Sequence, residues 1–165
     1  MITLGVGRTY RFFNNSAAVT ASGGTQDTYI RYRFGYGLSF CSFAYSNAMV
    51  SLGLNGSVTV EVDVAAIGNP AECREVTQVY LTLPSLPGLV TPIFSLVAFT
   101  VTPLIPGQGA THLTLSVGRD DLLTTAADGS RTFTGGKYTF FIGGHLPDDE
   151  KGSKQSNVLV ASISM

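Results

Sequence analysis

The sequence predicts an all-β protein, an antiparallel β-sandwich of about seven short strands behind an extended N-terminal arm. Three observations indicate this fold class. Apolar and polar residues alternate with a period of two, which places one face of a strand on a core and the other in water, whereas helical periodicity is scarce. Turn signals separate the alternating segments. Serial strands without intervening helices are typical of antiparallel sheets.

The predicted strands begin at Ser39–Tyr45 and continue to the end of the chain. The second is the clearest, because every second residue of Val58–Val64 is a valine and the residues between are polar. It follows Asn55-Gly56, a dipeptide typical of turns. The further strands are Val76–Leu83, Leu96–Val101, Leu113–Val117, Lys137–Ile142 and Val158–Ser164.

The segments between these strands predict connections rather than long helices. Pro84–Pro92 is rich in proline, leucine and serine and is expected to be a loop. Arg119–Thr125 is expected to form one helical turn capped by the acidic pair Asp120 and Asp121, and Asp128-Gly129 marks a further turn.

Tyr138 lies near the start of a late predicted strand, in the segment GGKYTF. A tyrosine at this place can form the tyrosine corner of an immunoglobulin-like sandwich, in which the hydroxyl bonds to upstream backbone. The alternative is an ordinary half-buried tyrosine. Tyr138 is therefore a candidate structural residue.

Length and charge limit the classes of function. The 165 residues are enough for one domain with its own core, and the 10 basic and 11 acidic residues argue against a broad nucleic-acid or anionic-membrane role. No apolar run approaches the ~18 residues of a membrane span. The start MITLGVGRTY lacks the features of a secretory signal, so we expect a cytosolic protein or a chain without its true N-terminus.

Two cysteines, Cys41 and Cys73, are too few for a disulfide framework. The sequence allows one bridge, but the burial habit of unpaired cysteine favours two small buried thiols. N-glycosylation sequons occur at Asn14 and Asn55, and they matter only in a secreted chain.

The candidates for catalysis or metal binding are weak. The acidic run Asp148–Glu150 lies beside His145 but lacks the spacing of a calcium loop, and we expect a solvated turn. His145 and His112 have no cysteine or carboxylate at zinc-site spacing, and no serine lies in a nucleophile elbow. We therefore predict no catalytic residue, metal site or cofactor.

The N-terminal arm has a distinct composition. Ten of the seventeen aromatic residues lie between Tyr10 and Tyr45, and four of the seven arginines precede Phe34. Asn14–Thr28 is a polar loop between two aromatic segments. Because a small sandwich cannot enclose so many aromatics from one arm, some are expected to cover another surface, in this chain or in another.

Interleaved arginines and aromatics in YIRYRFGYG are also found in RNA-binding sheets. Aligned on its glycines, the segment departs from the RNA-recognition signature at Phe34, Leu38, Ser39 and Cys41. The nearly neutral net charge argues against RNA in the same way, so no nucleic-acid partner is predicted.

The order of several motifs closely resembles the C-terminal part of glycoside hydrolase family 3 enzymes, the β-glucosidases and β-xylosidases. The resemblance extends over nearly the whole chain, and its most specific pieces are GRTYRF followed by FGYGLSF. The motifs are Gly7–Phe12, Phe34–Phe40, Arg74–Leu81, Leu96–Phe99, Asp128–Arg131 and Gly136–Gly144.

The resemblance implies that residues 38–165 form a fibronectin type III-like domain and that residues 1–37 are the link lying against a preceding α/β sandwich domain. RFGYGLSF would then be an interdomain joint, whose arginines supply directional hydrogen bonds. The implied partners are the catalytic and α/β sandwich domains of the same enzyme, in cis or in trans. The implied interface residues are Arg8, Tyr10, Phe12, Arg33, Phe34 and Tyr36.

The chain also departs from the family. The family's nucleophile lies in an upstream barrel and its acid/base residue in or near the middle domain, and neither region is present here. The family's nucleophile motif, Ser-Asp-Trp or a close variant, has no counterpart in this chain, which contains no tryptophan. The loop Asn14–Thr28 is longer than the usual link, and Cys41 stands where threonine is common.

The first hypothesis is therefore a non-catalytic accessory module of a family 3 β-glycosidase, and the chain alone is not expected to be an enzyme. The alternative is a free-standing carbohydrate-binding or adhesion sandwich, in which Tyr29 and Tyr32 stack on a β-linked oligosaccharide.

Overall fold

The computed structural model describes Arg11 and residues 39–53, 55–68, 72–85, 91–126, 128–147 and 157–165. The seven longer strands within these residues are the seven that the sequence predicts, and four strands of two or three residues accompany them. The strands are β1 (Ser42–Leu52), β2 (Val58–Ile67), β3 (Glu72–Cys73), β4 (Val76–Thr82), β5 (Ser95–Val101), β6 (Ile105–Pro106), β7 (Ala110–Val117), β8 (Leu123–Thr125), β9 (Arg131–Phe133), β10 (Lys137–Gly143) and β11 (Val158–Ser164).

Two larger sheets form the sandwich. One has three strands in the order β1-β2-β7, and the other has four strands in the order β11-β10-β4-β5. Two short ribbons, β3-β6 and β8-β9, accompany them. Every pairing among the described strands is antiparallel, which confirms the predicted fold class.

The core lies between the inner faces of the two sheets. The valines of β2 alternate as predicted, and Val58, Val60, Val62 and Val64 are fully buried. They belong to the same cluster as Val79 and Leu81 of β4 and the alternate residues of β10, which are Tyr138, Phe140 and Ile142. Burial of one such side chain stabilises the fold by roughly 1.5–3 kcal/mol, so this layer supplies the main driving force.

One flank of the sandwich is closed by a side-chain amide. The Tyr45 N–H donates to Oδ1 of Asn157 at 2.7 Å, and Nδ2 of Asn157 donates to the Tyr45 carbonyl at 3.0 Å. The amide thereby satisfies both backbone groups of Tyr45, as a neighbouring strand would. Because Asn157 immediately precedes β11, this pair joins an edge of one sheet to an edge of the other.

Two predicted elements differ in extent. The first strand begins at Ser42 rather than Ser39, because the Ser39 hydroxyl accepts a hydrogen bond from the Cys41 N–H at 3.1 Å in a local turn. Of the predicted turn Arg119–Thr125, only Arg119–Leu122 is helical, a short 3₁₀ segment. Leu123–Thr125 instead pairs with β9, as β-branched threonines favour. In the described part of the chain, no helix has the length and apolarity to span a membrane.

The two cysteines form a disulfide, so the expectation of two unpaired thiols is wrong. Cys41 and Cys73 are bridged with their Cα atoms 6.4 Å apart. Cys41 directly precedes β1, whose first residue pairs with the last residue of β2. The connection that follows β2 therefore returns to the same end of the sandwich, where Cys73 pairs with Ile105. We call this the disulfide end, and the opposite end, where β1 turns into β2, the hairpin end.

Replacing Cys41 with serine is expected to lower the free energy of unfolding by roughly 3–4 kcal/mol, because the bridge closes a loop between residues 32 apart in the unfolded chain. Urea unfolding of the oxidised chain measures this loss. The Cys73→Ser variant and the double variant should show the same loss. Equal urea midpoints for the wild type with and without reductant would contradict the prediction.

Candidate interdomain joint

The outer face of the four-stranded sheet is largely apolar. In β4, Val79 and Leu81 point into the core, so Val76, Gln78 and Tyr80 point outward. Their cross-strand partners share this face. These outer-face partners are Val101, Phe99, Leu96, Phe141 and, next to Phe141 on β11, Val160.

The centre of this outer face is covered by residues from two loops. Phe94 and Leu146 are buried with Tyr80 in a second apolar cluster, separate from the main core. The ring of Phe94 meets that of Phe141 edge to face, with centroids 5.2 Å apart. The Gln78 amide donates to the carbonyl of Gly144 at 3.1 Å and accepts from the Tyr80 hydroxyl, so both its nitrogen and its oxygen have a hydrogen-bond partner.

Arg11, from the N-terminal arm, is hydrogen-bonded to the segment that leads into β5. Its carbonyl accepts hydrogen bonds from the N–H groups of Ile93 and Phe94 at 2.6 and 3.3 Å. Its guanidinium donates from Nε and Nη2 to the Ser95 hydroxyl at 3.2 and 2.9 Å. An arginine of the GRTYRF motif therefore makes directional hydrogen bonds within this chain, at the hairpin end of β5.

The six interface residues that the sequence predicts lie outside the described residues. Their contacts stay predictions. They are Arg8, Tyr10, Phe12, Arg33, Phe34 and Tyr36.

The outer face carries an uncovered region at the disulfide end. Phe99, Val101 and Val76 are 67%, 51% and 44% exposed, and Val76 pairs directly with Val101. We call these three residues the apolar patch. Phe40, which ends the FGYGLSF motif, is fully exposed beside β1. The lack of polar alternation in SLVAFTV is the sequence signal that indicates this patch.

The outer face of the three-stranded sheet is mostly polar by contrast, with Met49 and Ile67 exposed singly among polar residues. Its residues alternate with the buried residues of β2 and β7. They include Thr59, Glu61, Asp63, His112, Thr114 and Ser116. The two outer faces of the sandwich therefore differ in polarity, and the face of the four-stranded sheet keeps an exposed apolar region.

Asp63 organises a small polar group on this second face. Its carboxylate oxygens lie 2.7 Å from Nδ1 of His112 and 2.8 Å from Nδ2 of Asn47. The hydrogen bonds from Asn47 and then His112 lower the pKa of Asp63. Within the described residues, no group of three or more histidine, cysteine or acidic side chains could hold a metal ion. The acidic run Asp148–Glu150 lies outside them.

A polar cluster lies inside the disulfide end. The Tyr45 hydroxyl donates to Oε1 of Glu75 at 3.1 Å and lies 3.2 Å from the Thr77 hydroxyl. Burial raises the pKa of Glu75, and burial followed by the Glu75 carboxylate raises the pKa of Tyr45. Two hydrogen bonds to Thr102 fix the backbone of Glu75. The Glu75 N–H donates to the Thr102 hydroxyl at 2.9 Å, and the Glu75 carbonyl accepts from the Thr102 N–H at 2.8 Å.

Tyr138 is fully buried near the hairpin end. Its hydroxyl donates to the Thr134 carbonyl at 2.6 Å and lies 3.3 Å from the Leu122 carbonyl, while its ring stacks on Phe133. Both carbonyls precede Tyr138 in the chain, which is the geometry that a tyrosine corner requires. We propose that structural role for Tyr138.

Comparisons with known proteins find this chain similar to one part of several β-glucosidases. The family model of a fibronectin type III-like domain matches residues 75–145. β-Glucosidase B of Emericella nidulans is 32% identical over 144 residues, which are 84% of this chain and 15% of that protein.

Two solved structures agree with this match. β-Glucosidase 3B of Thermotoga neapolitana, in complex with α-D-glucose, is 26% identical with a TM-score of 0.66, over 81% of this chain and 17% of that chain. The β-D-glucoside glucohydrolase of Trichoderma reesei is 25% identical with a TM-score of 0.66, over 84% and 20%. The chain therefore spans less than a quarter of the length of each of these three proteins.

Glu75 is expected to make stability fall as pH rises. Because the pKa of Glu75 is raised in the folded state, the folded protein binds more protons than the unfolded chain once pH exceeds the ordinary value of 4.5. The stability contributed by protonated Glu75 is present below that pH and is lost as pH rises through the raised pKa. The hydrogen bonds that Glu75 accepts from the Tyr45 hydroxyl and the Val76 N–H lower its pKa but do not reverse this shift.

The measurement is urea unfolding of the wild type and Glu75→Gln between about pH 4 and 7. The wild type should lose stability relative to the variant as pH rises. Asp63 and Asp128, whose pKa values are lowered mainly by the Asn47 and Ser130 side chains, act equally in both proteins and cancel. A difference that stays constant across this range would contradict the prediction.

Tyr138→Phe is expected to lower the free energy of unfolding by about 1–3 kcal/mol, because it leaves a buried carbonyl without its donor while the ring keeps its packing. Urea unfolding measures the loss, and near-ultraviolet circular dichroism reports whether the packing persists. A loss below about 0.5 kcal/mol, the usual effect of a surface change, would mean that Tyr138 is an ordinary buried tyrosine.

Proposed function

Because this chain carries the C-terminal fibronectin type III-like domain of glycoside hydrolase family 3 enzymes, we propose that it braces the catalytic domains of such an enzyme. The catalytic and α/β sandwich domains are its partners, joined in cis in the relatives. The names of those relatives favour a β-glucosidase as the parent enzyme, with a β-xylosidase as the alternative.

The difference between the two outer faces carries this proposal. A contiguous exposed apolar region on a small domain is typical of an interaction site. Covering the remaining surface of Val76, Phe99 and Val101 would contribute roughly 1 kcal/mol per side chain, given 1.5–3 kcal/mol for full burial. The outer face of the other sheet exposes Met49 and Ile67, but they lie apart, Met49 beside Glu61 and Ile67 beside Ser42, and form no contiguous apolar region.

The course of the chain supports the same face. Arg11 is fixed at the hairpin end of β5, and β1 begins at Ser42 at the disulfide end. Arg11 is thus attached to the sheet whose outer face bears the apolar patch, at the opposite end from the patch, and β1 lies in the other sheet next to β11. We propose that the neighbouring domain contacts the arm and this outer face. In this arrangement Arg8, Tyr10, Phe12, Arg33, Phe34 and Tyr36 are the proposed contacts of the arm.

Two measurements on the isolated chain distinguish the proposal from its alternatives. We expect no turnover of aryl β-glucosides or β-xylosides, because the proposed role places the catalytic groups in other domains. Measurable hydrolysis by the pure chain would overturn the accessory role. Titration with β-linked gluco- and xylo-oligosaccharides should leave tyrosine fluorescence unchanged, whereas a saturable change would favour stacking on Tyr29 and Tyr32.

The bracing role is tested in a chimera that replaces the matching segment of β-glucosidase B with this chain. Phe99→Ser is expected to lower the melting temperature of the chimera while changing the unfolding free energy of the isolated chain by less than about 1 kcal/mol. Met49→Ser is the matched control, since Met49 is 59% exposed beside Glu61 on the polar face. Equal melting temperatures for the two chimeras would contradict docking through the apolar patch.

A further inference from the structure

The hairpin between β1 and β2 carries the tripeptide Asn55-Gly56-Ser57 at the hairpin end of the sandwich. Gly53 donates to the Ser57 carbonyl at 2.8 Å, and Gly56 donates to the Gly53 carbonyl at 3.1 Å, so the turn is closed by its own backbone. Gly56 has a φ of +72°, which glycine adopts without steric cost. Asn55 is exposed at the tip of this turn.

The disulfide supplies a second, independent observation. The chain contains two cysteines, and the structure pairs them with each other. Bridges of this kind form and persist in oxidising compartments such as the secretory pathway. The sequence Asn-X-Ser is an acceptor for N-linked glycans in that pathway when X is not proline, as here with glycine. The disulfide therefore indicates the secretory pathway, the compartment in which the sequon can be glycosylated.

The position of the turn is compatible with a large substituent. The turn follows Leu52, which pairs with Val58, and Val58 pairs in turn with Val117 at the end of β7. The apolar patch begins with Val76 at the opposite end of the sandwich. A glycan on Asn55 would therefore be attached at the end of the sandwich opposite the apolar patch.

We propose that Asn55 is an N-glycosylation site of this protein. The co-reactant is an oligosaccharide linked to a lipid diphosphate. A bond forms between Nδ2 of Asn55 and the anomeric carbon of the first sugar, while the bond from that carbon to the diphosphate oxygen breaks. Nδ2 loses one proton, and the lipid diphosphate leaves with the bonding electrons. No oxidation or reduction accompanies the transfer.

The test is secretion of the whole chain from a eukaryotic host behind an added signal sequence, followed by intact-mass measurement before and after peptide N-glycosidase treatment. The Asn14→Gln variant removes the other sequon, so its remaining glycan reports on Asn55 alone. In that background, Ser57→Thr keeps the sequon and Ser57→Ala destroys it, with Asn55 present in both. We expect glycan on the Asn14→Gln and Ser57→Thr proteins and complete loss with Ser57→Ala.

After glycosidase treatment, residue 55 should be aspartate, because the enzyme converts a glycosylated asparagine to aspartate when it removes the glycan. Secretion of the Asn14→Gln protein with an intact Cys41–Cys73 bridge but no glycan would overturn the proposal. Glycan retained after Ser57→Ala would overturn it as well, because the modification would then lie elsewhere. The proposal is independent of the bracing role, which the Phe99 and Met49 chimeras test without reference to glycans.

Discussion

The two central strands of the four-stranded sheet are covered on both sides, and this constraint governs much of the structure. β4 is buried on both faces over most of its length, and β10 is buried on its inner face and half-buried on its outer face. Their inner residues complete the core with the valines of β2. Their outer residues Tyr80 and Phe141 pack against Phe94 and Leu146, which come from two loops. This loop cover lies over the centre of the sheet and ends before it reaches the apolar patch.

Period-two alternation allowed the seven longer strands to be predicted, because a half-buried strand shows its core face directly in the sequence. The second buried face of β4 was less apparent. Gln78 has the pattern of a solvated residue, yet the Gly144 carbonyl and the Tyr80 hydroxyl satisfy its amide in a buried position. Such burial depends on a loop far along the chain, and local periodicity carries no information about it.

The disulfide and the interdomain joint also depend on tertiary geometry that the sequence pattern does not contain. Cys41 and Cys73 come together because the register of β1 with β2 places Cys41 near the connection that follows β2. The number of cysteines in the sequence gives no information about this geometry. The ordered motifs along the chain, by contrast, indicated a fibronectin type III-like domain of glycoside hydrolase family 3 enzymes, which the comparisons confirm. Which arm residues contact the neighbouring domain is a matter of tertiary geometry, and the motif order does not determine it.

The amide bridge between Tyr45 and Asn157 joins positions 112 residues apart. Contacts of such long range are formed late, because the entropy of closing the intervening chain must be overcome first. During synthesis, β1 leaves the ribosome well before its flanking partner exists. The sandwich can close this flank only after its final strand has been released, so the nascent domain depends for that interval on its remaining strand pairs.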